Sequence, residues 1–262
     1  MTHFQNWLLT EEDCVLTLTL TRSAQKHTLD MQTFYELREI ARGLQERPDI
    51  WAVVLEAAGE HFSRGVDVSV IGMMIGQEEP AYRENLRNAQ DCLDVFEALE
   101  KPTIAKLHGY CLGGGLILAL CCDFRIASEN TVFGLPEVKR SIGVIMGAQR
   151  ISRVAGLAAA KEMIYVGDNF NAQQAQQWNL VNQVVPHDEL DTAAAALADK
   201  FRALPPRAVG VNKRILNEGY EMSLRDSQEL EIDAQFELLH SPDFQEAVAS
   251  FMEKRPPRYS GK

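Results

Sequence analysis

Residues 101–128 read KPTIAKLHGYCLGGGLILALCCDFRIAS, and their order decides the fold class. TIAKL (103–107) is a short apolar run bounded by proline and glycine, the pattern of a strand. A glycine-rich turn follows at 109–115. LILALCC is apolar without interruption and reads as a buried helix that Asp123 ends; FRIAS (124–128) is again a strand. Strand, turn, helix and strand in close succession argue an α/β core.

The same alternation extends toward the N-terminus. CVLTLTL (14–20) alternates apolar residues with threonine, as a half-buried strand does. Residues 31–47 carry Phe34, Leu37, Ile40, Ala41 and Leu44 at helical spacing, with Asp30 placed as N-cap and Pro48 as the stop. WAVVLE (51–56) reads as a strand and 81–100 as a helix. From about residue 191 the pattern is mostly helical, punctuated by Pro205 and Pro206, with amphipathic stretches at 221–239 and 244–254. The division this suggests is a mixed core over residues 1–196 and a helical region over 197–262. No fixed-period repeat and no low-complexity tract is visible.

Of the 262 residues 46% are hydrophobic and 24% charged, which supports a sizeable core and excludes disordered and fibrous classes. The 26 basic residues against 37 acidic ones leave a net charge of −11, a poor basis for nucleic-acid binding. A phosphorylated small molecule stays open, because a few local cations and helix ends suffice for it. The longest apolar run, 112–122, is about half the ~20 residues of a membrane span. No basic start followed by an apolar stretch marks a leader, so a cytoplasmic protein is expected. The five cysteines form no CxxC pair and are expected as reduced, packed thiols; a reactive Cys111 beside the glycines is the weaker reading. No set of residues has metal-ligand spacing.

The common catalytic motifs are absent: no GxGxxG opening a βα unit, no GxxxxGK[ST], no GxSxG and no HExxH. A nucleotide enzyme of the Rossmann kind, which would bind NAD, loses its main support. Three segments remain. Gly113-Gly114-Gly115 lie between a strand and an apolar helix, where backbone N–H groups are free to meet an oxygen carrying negative charge. On its own the triplet fits tight helix–sheet packing better. The loop from Gly59 to Asp67 (GEHFSRGVD) follows a strand and reads either as a ligand loop or as an ordinary connection. Phe133-Gly134-Leu135-Pro136-Glu137 brings one carboxylate beside a proline, alone no more than a loop acid.

Together and in this order, the segments resemble the crotonase superfamily, the enoyl-CoA hydratase/isomerase family. The resemblance runs through RSAQKHTLD (22–30), HFSRGVDV (61–68), KPTIAKLHGYCLGGG (101–115), CDFRIASENTVFGLPEVK (122–139), QRISRVAG (149–156), AQQWNLVNQVV (175–185) and FMEKRPPRYSG (251–261). It covers almost the whole chain. It implies an α/β fold, a spiral core of ββα turns, with a helical C-terminal region that packs trimers or hexamers. It implies an acyl-CoA thioester as substrate with no further cofactor and no metal. By motif position the backbone N–H groups of Val66 and Gly114 would form an oxyanion hole for the enolate, on turns set by Gly65 and Gly113. Lys26, Thr28, Arg64, Asp67 and Lys254 fall in segments expected to meet the substrate or its CoA part.

Family hydratases hold a water between two glutamates. The second falls on Glu137; at the position of the first stands Ile117. Syn hydration needs one group giving and one taking a proton, whereas moving a double bond from the 3,4 to the 2,3 position needs a single carboxylate. The resemblance with Ile117 therefore implies isomerisation on Glu137, whose pKa a dry neighbour would raise. The alternatives are hydration with a substitute acid, decarboxylation or thioester hydrolysis on the same scaffold, and a non-catalytic acyl-CoA-binding subunit. Arg64 facing an acidic acyl group would favour decarboxylation. His27-Thr28 and His108 also depart from the family pattern, and SIGVIMGAQR (141–150) is short and glycine-poor, which implies a reshaped acyl pocket.

Overall fold

The run TIAKL forms a strand over Thr103–Leu107 and FRIAS one over Phe124–Ser128, side by side and parallel, with the apolar helix between them. The computed structural model describes residues 4–261. In chain order its elements are β1 (Trp7–Glu12), β2 (Val15–Leu20), α1 (Met31–Gln45), β3 (Ala52–Ala57), α2 (Val68–Met73), α3 (Glu79–Glu97), β4 (Thr103–Leu107), β5 (Tyr110–Leu112), α4 (Gly114–Leu120) and β6 (Phe124–Ser128). They continue with β7 (Val132–Gly134), α5 (Ala148–Val166), β8 (Asn169–Asn171), α6 (Ala172–Gln177), β9 (Gln183–Val185), α7 (Leu190–Arg202), α8 (Pro206–Gly219), α9 (Leu224–Leu239) and α10 (Pro242–Glu253).

Two sheets result. The larger has the order β1-β2-β3-β4-β6-β9, antiparallel only at the β1–β2 edge; the smaller is β5-β7-β8. After β4 and again after β6 the chain crosses to the smaller sheet, as β5 and β7, before entering a helix. The segment after β3 makes the same crossing without a full strand: Ser63 bridges Cys111 and Val66 bridges Leu29. Successive turns of sheet, second sheet and helix wind into a spiral. β3, β4, β6 and β9 begin at residues 52, 103, 124 and 183, so the spiral has no constant period in the sequence.

Burial explains the strand compositions. Strand β3 is apolar at nearly every position because both faces of a parallel sheet are covered. Val53, Leu55, Ala105 and Leu107 face the main core, while Val54, Ile104 and Ile126 pack with Leu190, Ala194 and Ala198 of α7. In β2 only Leu16, Leu18 and Leu20 are buried, matching the alternation. Helix α1 is capped by Asp30, which accepts from the Thr33 N–H at 2.8 Å, a cap worth ~1 kcal/mol.

Three features were not legible in the sequence. Strand β1, WLLTEE, is an edge with a mostly exposed face and no clean alternation. The middle of the expected glycine turn at 109–115 is a strand, because Tyr110–Leu112 pair with Val132–Gly134. The division expected after residue 196 falls inside α7, which is packed on the larger sheet; the helices that leave the sheet begin with α8. Helix α8 is tied back by Lys213, whose ammonium sits 2.8 Å from Asp123.

Candidate active site

Two tight turns meet where the smaller sheet passes into α4. The first, Gly65-Val66, follows the β3 crossing; the second, Gly113-Gly114, opens α4. Gly65 has φ +96°, and a Cβ there would lie 3.1 Å from the Leu112 carbonyl oxygen and 3.5 Å from the Gly114 nitrogen. Gly113 has φ +50°, and a Cβ there would lie 2.6 Å from Oε1 of Glu137. Glycine at these two places lets three backbones and one carboxylate converge. A Cβ on Gly114 would lie 3.3 Å from the Val66 nitrogen. Among the described residues neither the Val66 nor the Gly114 N–H donates to a protein acceptor. Two free donors on facing turns, one at a helix start, suit an oxygen that gains negative charge.

Glu137 sits after β7, in the helical turn Pro136–Arg140. Its Oε2 is buried and has no hydrogen-bond partner. Burial pushes its pKa above the ordinary glutamate value, against weaker lowering by its own backbone N–H and by Arg140. Ile117, 3% exposed, lies one helical turn into α4. Its side chain occupies the space a Cβ on Gly147 would need, so Gly147 and Ile117 interlock.

These groups line one cavity of about 1170 Å³. Val70, Ile71, Met73 and Met74 of the α2 region form part of its wall, and Ile142, Val144, Ile145 and Met146 another. Val68, Met73 and Ile75, which also line it, are exposed by 58–84%, an apolar rim on a solvent-facing opening. Among the described residues lining the cavity Glu137 is the sole carboxylate. Its lining cations Lys26, Arg64 and Arg140 are all exposed.

Of the residues singled out from the sequence, Lys26, Thr28, Arg64, Gly65, Val66, Gly113, Gly114, Ile117 and Glu137 all border this cavity. Asp67 and Lys254 do not. Asp67 caps α2, accepting from Ser69 at 2.9 Å and from the Thr28 hydroxyl at 2.8 Å; the Ser69 bonds chiefly hold its pKa down to about 2. It holds the turn and does not face the opening. Lys254 is the exposed left-handed cap of α10. Arg64 lies over the Tyr110 ring, 4.9 Å from its centroid, a cation–π contact. Cys111 is fully buried with its thiol pKa pushed up by desolvation, so it packs and is not poised to react. The sequence reading missed Gly147, the α2 wall and Tyr110; only the brevity of 141–150 signalled a different wall.

The enoyl-CoA hydratase/isomerase family matches residues 10–262. The chain is 31% identical over 263 residues to a crotonyl-CoA hydratase of Syntrophomonas wolfei, covering 99% of each. It is 28% identical to a peroxisomal Delta(3,5)-Delta(2,4)-dienoyl-CoA isomerase of Arabidopsis thaliana, covering 95% of this chain and 94% of the relative. The crystal structure of an enoyl-CoA hydratase from Bacillus anthracis superposes with a TM-score of 0.90 at 33% identity, over 98% of this chain and 100% of that one. Similar relatives thus include both a hydratase and an isomerase, which leaves the reaction to the site. Over nearly its whole length, this chain belongs to the enoyl-CoA hydratase/isomerase family and has the crotonase fold.

Proposed function

We propose that the protein moves a carbon–carbon double bond in an acyl-CoA thioester, from the 3,4 to the 2,3 position, with Glu137 as the single acid–base group. The observation that carries this is the lone carboxylate: Ile117 stands where a second would be needed, and among the described residues no other acid lines the cavity. The Glu137 carboxylate removes a proton from C2; the thioester oxygen gains the charge and is held by the Val66 and Gly114 N–H groups. The neutral carboxyl then returns that proton to C4, and the electron pair settles between C2 and C3. Burial that raises the Glu137 pKa makes it a better carrier of one proton in both directions.

The apolar wall favours an uncharged hydrocarbon acyl group. A carboxylated group would meet no buried cation, since Lys26, Arg64 and Arg140 are exposed; that argues against decarboxylation. Those cations suit the anionic CoA part. A non-catalytic binder has no use for a carboxylate with one oxygen buried and unpartnered, which costs stability. The thioester is substrate, and the reaction calls on no further cofactor. Exposed Leu216, Leu224, Ile232, Phe236 and Phe251 on α8–α10 support assembly as a homotrimer or homohexamer, and a cytoplasmic location fits the chain. No helix among the described residues is long and apolar enough to cross a membrane.

The test is turnover of a 3-enoyl-CoA to its conjugated 2-enoyl isomer by the wild type and by Glu137→Gln. Isomerisation lost in the variant supports the proposal; isomerisation kept in the variant, or absent in the wild type, overturns it.

A further inference from the structure

Between the two donor turns stands a side chain with no role in the reaction so far, Ser63. It is 0% exposed. Its backbone pairs with β5 on both sides: its N–H donates to the Tyr110 carbonyl at 2.9 Å, and its carbonyl accepts from Leu112 at 3.0 Å. Its hydroxyl donates to the His27 carbonyl at 2.6 Å and accepts from the Gly65 N–H at 3.2 Å. Its Cβ fills the place a side chain on Gly115 would take, 2.6 Å from a Cβ built there.

Each contact reaches one part of the proposed oxyanion hole. Gly65 precedes Val66, and Gly115 follows Gly114 in the first turn of α4. His27 has φ +53°, a left-handed conformation that aims its carbonyl at Ser63, and Leu29, two residues on, donates to the Gly65 carbonyl at 2.8 Å. A fully buried hydroxyl is not needed to fill this space, because alanine would nearly do so. Removing it would leave the His27 carbonyl and the Gly65 N–H without their partner.

We infer that Ser63 is a positioning residue: it sets the separation and orientation of the Val66 and Gly114 donors while touching neither substrate nor reacting atoms. This rests on the oxyanion reading given above. Loss of the hydroxyl lets the Gly65-Val66 turn relax, so donation to the thioester oxygen weakens while the apolar cavity and the exposed cations are unchanged.

The experiment compares wild type with Ser63→Ala by kinetics and by Raman difference spectroscopy of a bound 2-enoyl-CoA carrying ¹³C at the thioester carbonyl. A working hole moves the carbonyl band of the bound ligand to lower frequency. Ser63→Ala is expected to reduce that displacement and lower kcat about tenfold, with KM within about twofold, as small misplacements of catalytic groups do. A variant with the wild-type band position and wild-type kcat would overturn the inference. A wild type that itself shows no displacement would instead remove the oxyanion reading on which it rests. Should Ser63→Ala fail to fold, Ser63→Cys keeps the volume with a poorer donor and acceptor. An intermediate displacement there supports the inference, and an unchanged one refutes it.

Discussion

Gly114→Ala separates the chemistry of the two turns from their stability. Residue 114 is helical and is not among the positive-φ glycines, so alanine meets no backbone strain, and in a helix it gains up to ~1 kcal/mol over glycine. Its new methyl would lie 2.7 Å from Cγ2 of Val66 and 3.3 Å from the Val66 nitrogen. The first contact is overpacking, worth ~1–3 kcal/mol, so the net loss of stability is at most ~3 kcal/mol. The second contact decides the chemistry. An oxygen bonded to both N–H groups would sit about 2.9 Å from each nitrogen, and a methyl 3.3 Å from one of those nitrogens would crowd its approach. Losing oxyanion donation costs ~3–4 kcal/mol of barrier, a fall in kcat of about 10²–10³. Conversion of a 3-enoyl-CoA, followed by absorbance of the conjugated thioester beside a thermal melt, reads both quantities. Adding Val66→Ala removes the Cγ2 contact but not the crowding at the nitrogen, so the double variant should recover melting temperature and stay slow. A single variant with kcat within about threefold of wild type, or a double variant restored to full rate, would refute the reasoning.

Four further outcomes follow, three at this site and one at two buried histidines outside the cavity lining. Ile117→Glu supplies a second carboxylate, so it should gain measurable hydration of a 2-enoyl-CoA; its melting temperature should fall, because a charge enters an apolar site that interlocks with Gly147. Glu137 must be ionised to take the C2 proton and its pKa is raised, so kcat/KM should rise with pH through an acid limb lying above 4.5. The folded chain also holds that proton more tightly than the unfolded one, a stabilisation complete below 4.5 and lost as pH rises through the folded pKa; Glu137→Gln should therefore melt above wild type near pH 8, with the gap closing toward 4.5. Burial lowers the pKa of His27 and His108 from 6.5, so the folded state prefers both neutral. Stability from this source is complete above 6.5 and falls as pH drops below it; in denaturant titrations His108→Gln, whose amide nitrogen takes the place of Nε2, should flatten that slope while still donating to the Gly59 carbonyl.

How much of this was readable beforehand depends on the range of the forces. The N-cap at Asp30 and the alternation of β2 are local patterns that took the expected place; the apolar helix formed as well, but it begins within the glycines at Gly114 and ends at Leu120, short of Asp123. β5 and β7 were not visible, because three-residue strands have too few positions to show a period and exist through pairing with each other. The spiral was legible only through family resemblance, since its turns differ in length. Within the site, Gly65, Gly113 and Glu137 stood out by motif, and Ile117 by what it replaces. Asp67 carried the same motif signal but serves the α2 cap, a distinction that needs the direction of its side chain. Gly147 has no signal of its own; its lack of a side chain makes sense only once Ile117 lies against it.

The central claim is that one carboxylate serves here where hydration needs two. The most direct test gives purified wild-type protein a 3-enoyl-CoA and a 2-enoyl-CoA of the same chain length and measures the ratio of isomerisation to hydration. The account predicts rapid formation of the conjugated isomer and no detectable addition of water. Hydration as fast as isomerisation would contradict it, because a second acid–base group would then have to act where, among the described residues, Glu137 is the one carboxylate lining the cavity.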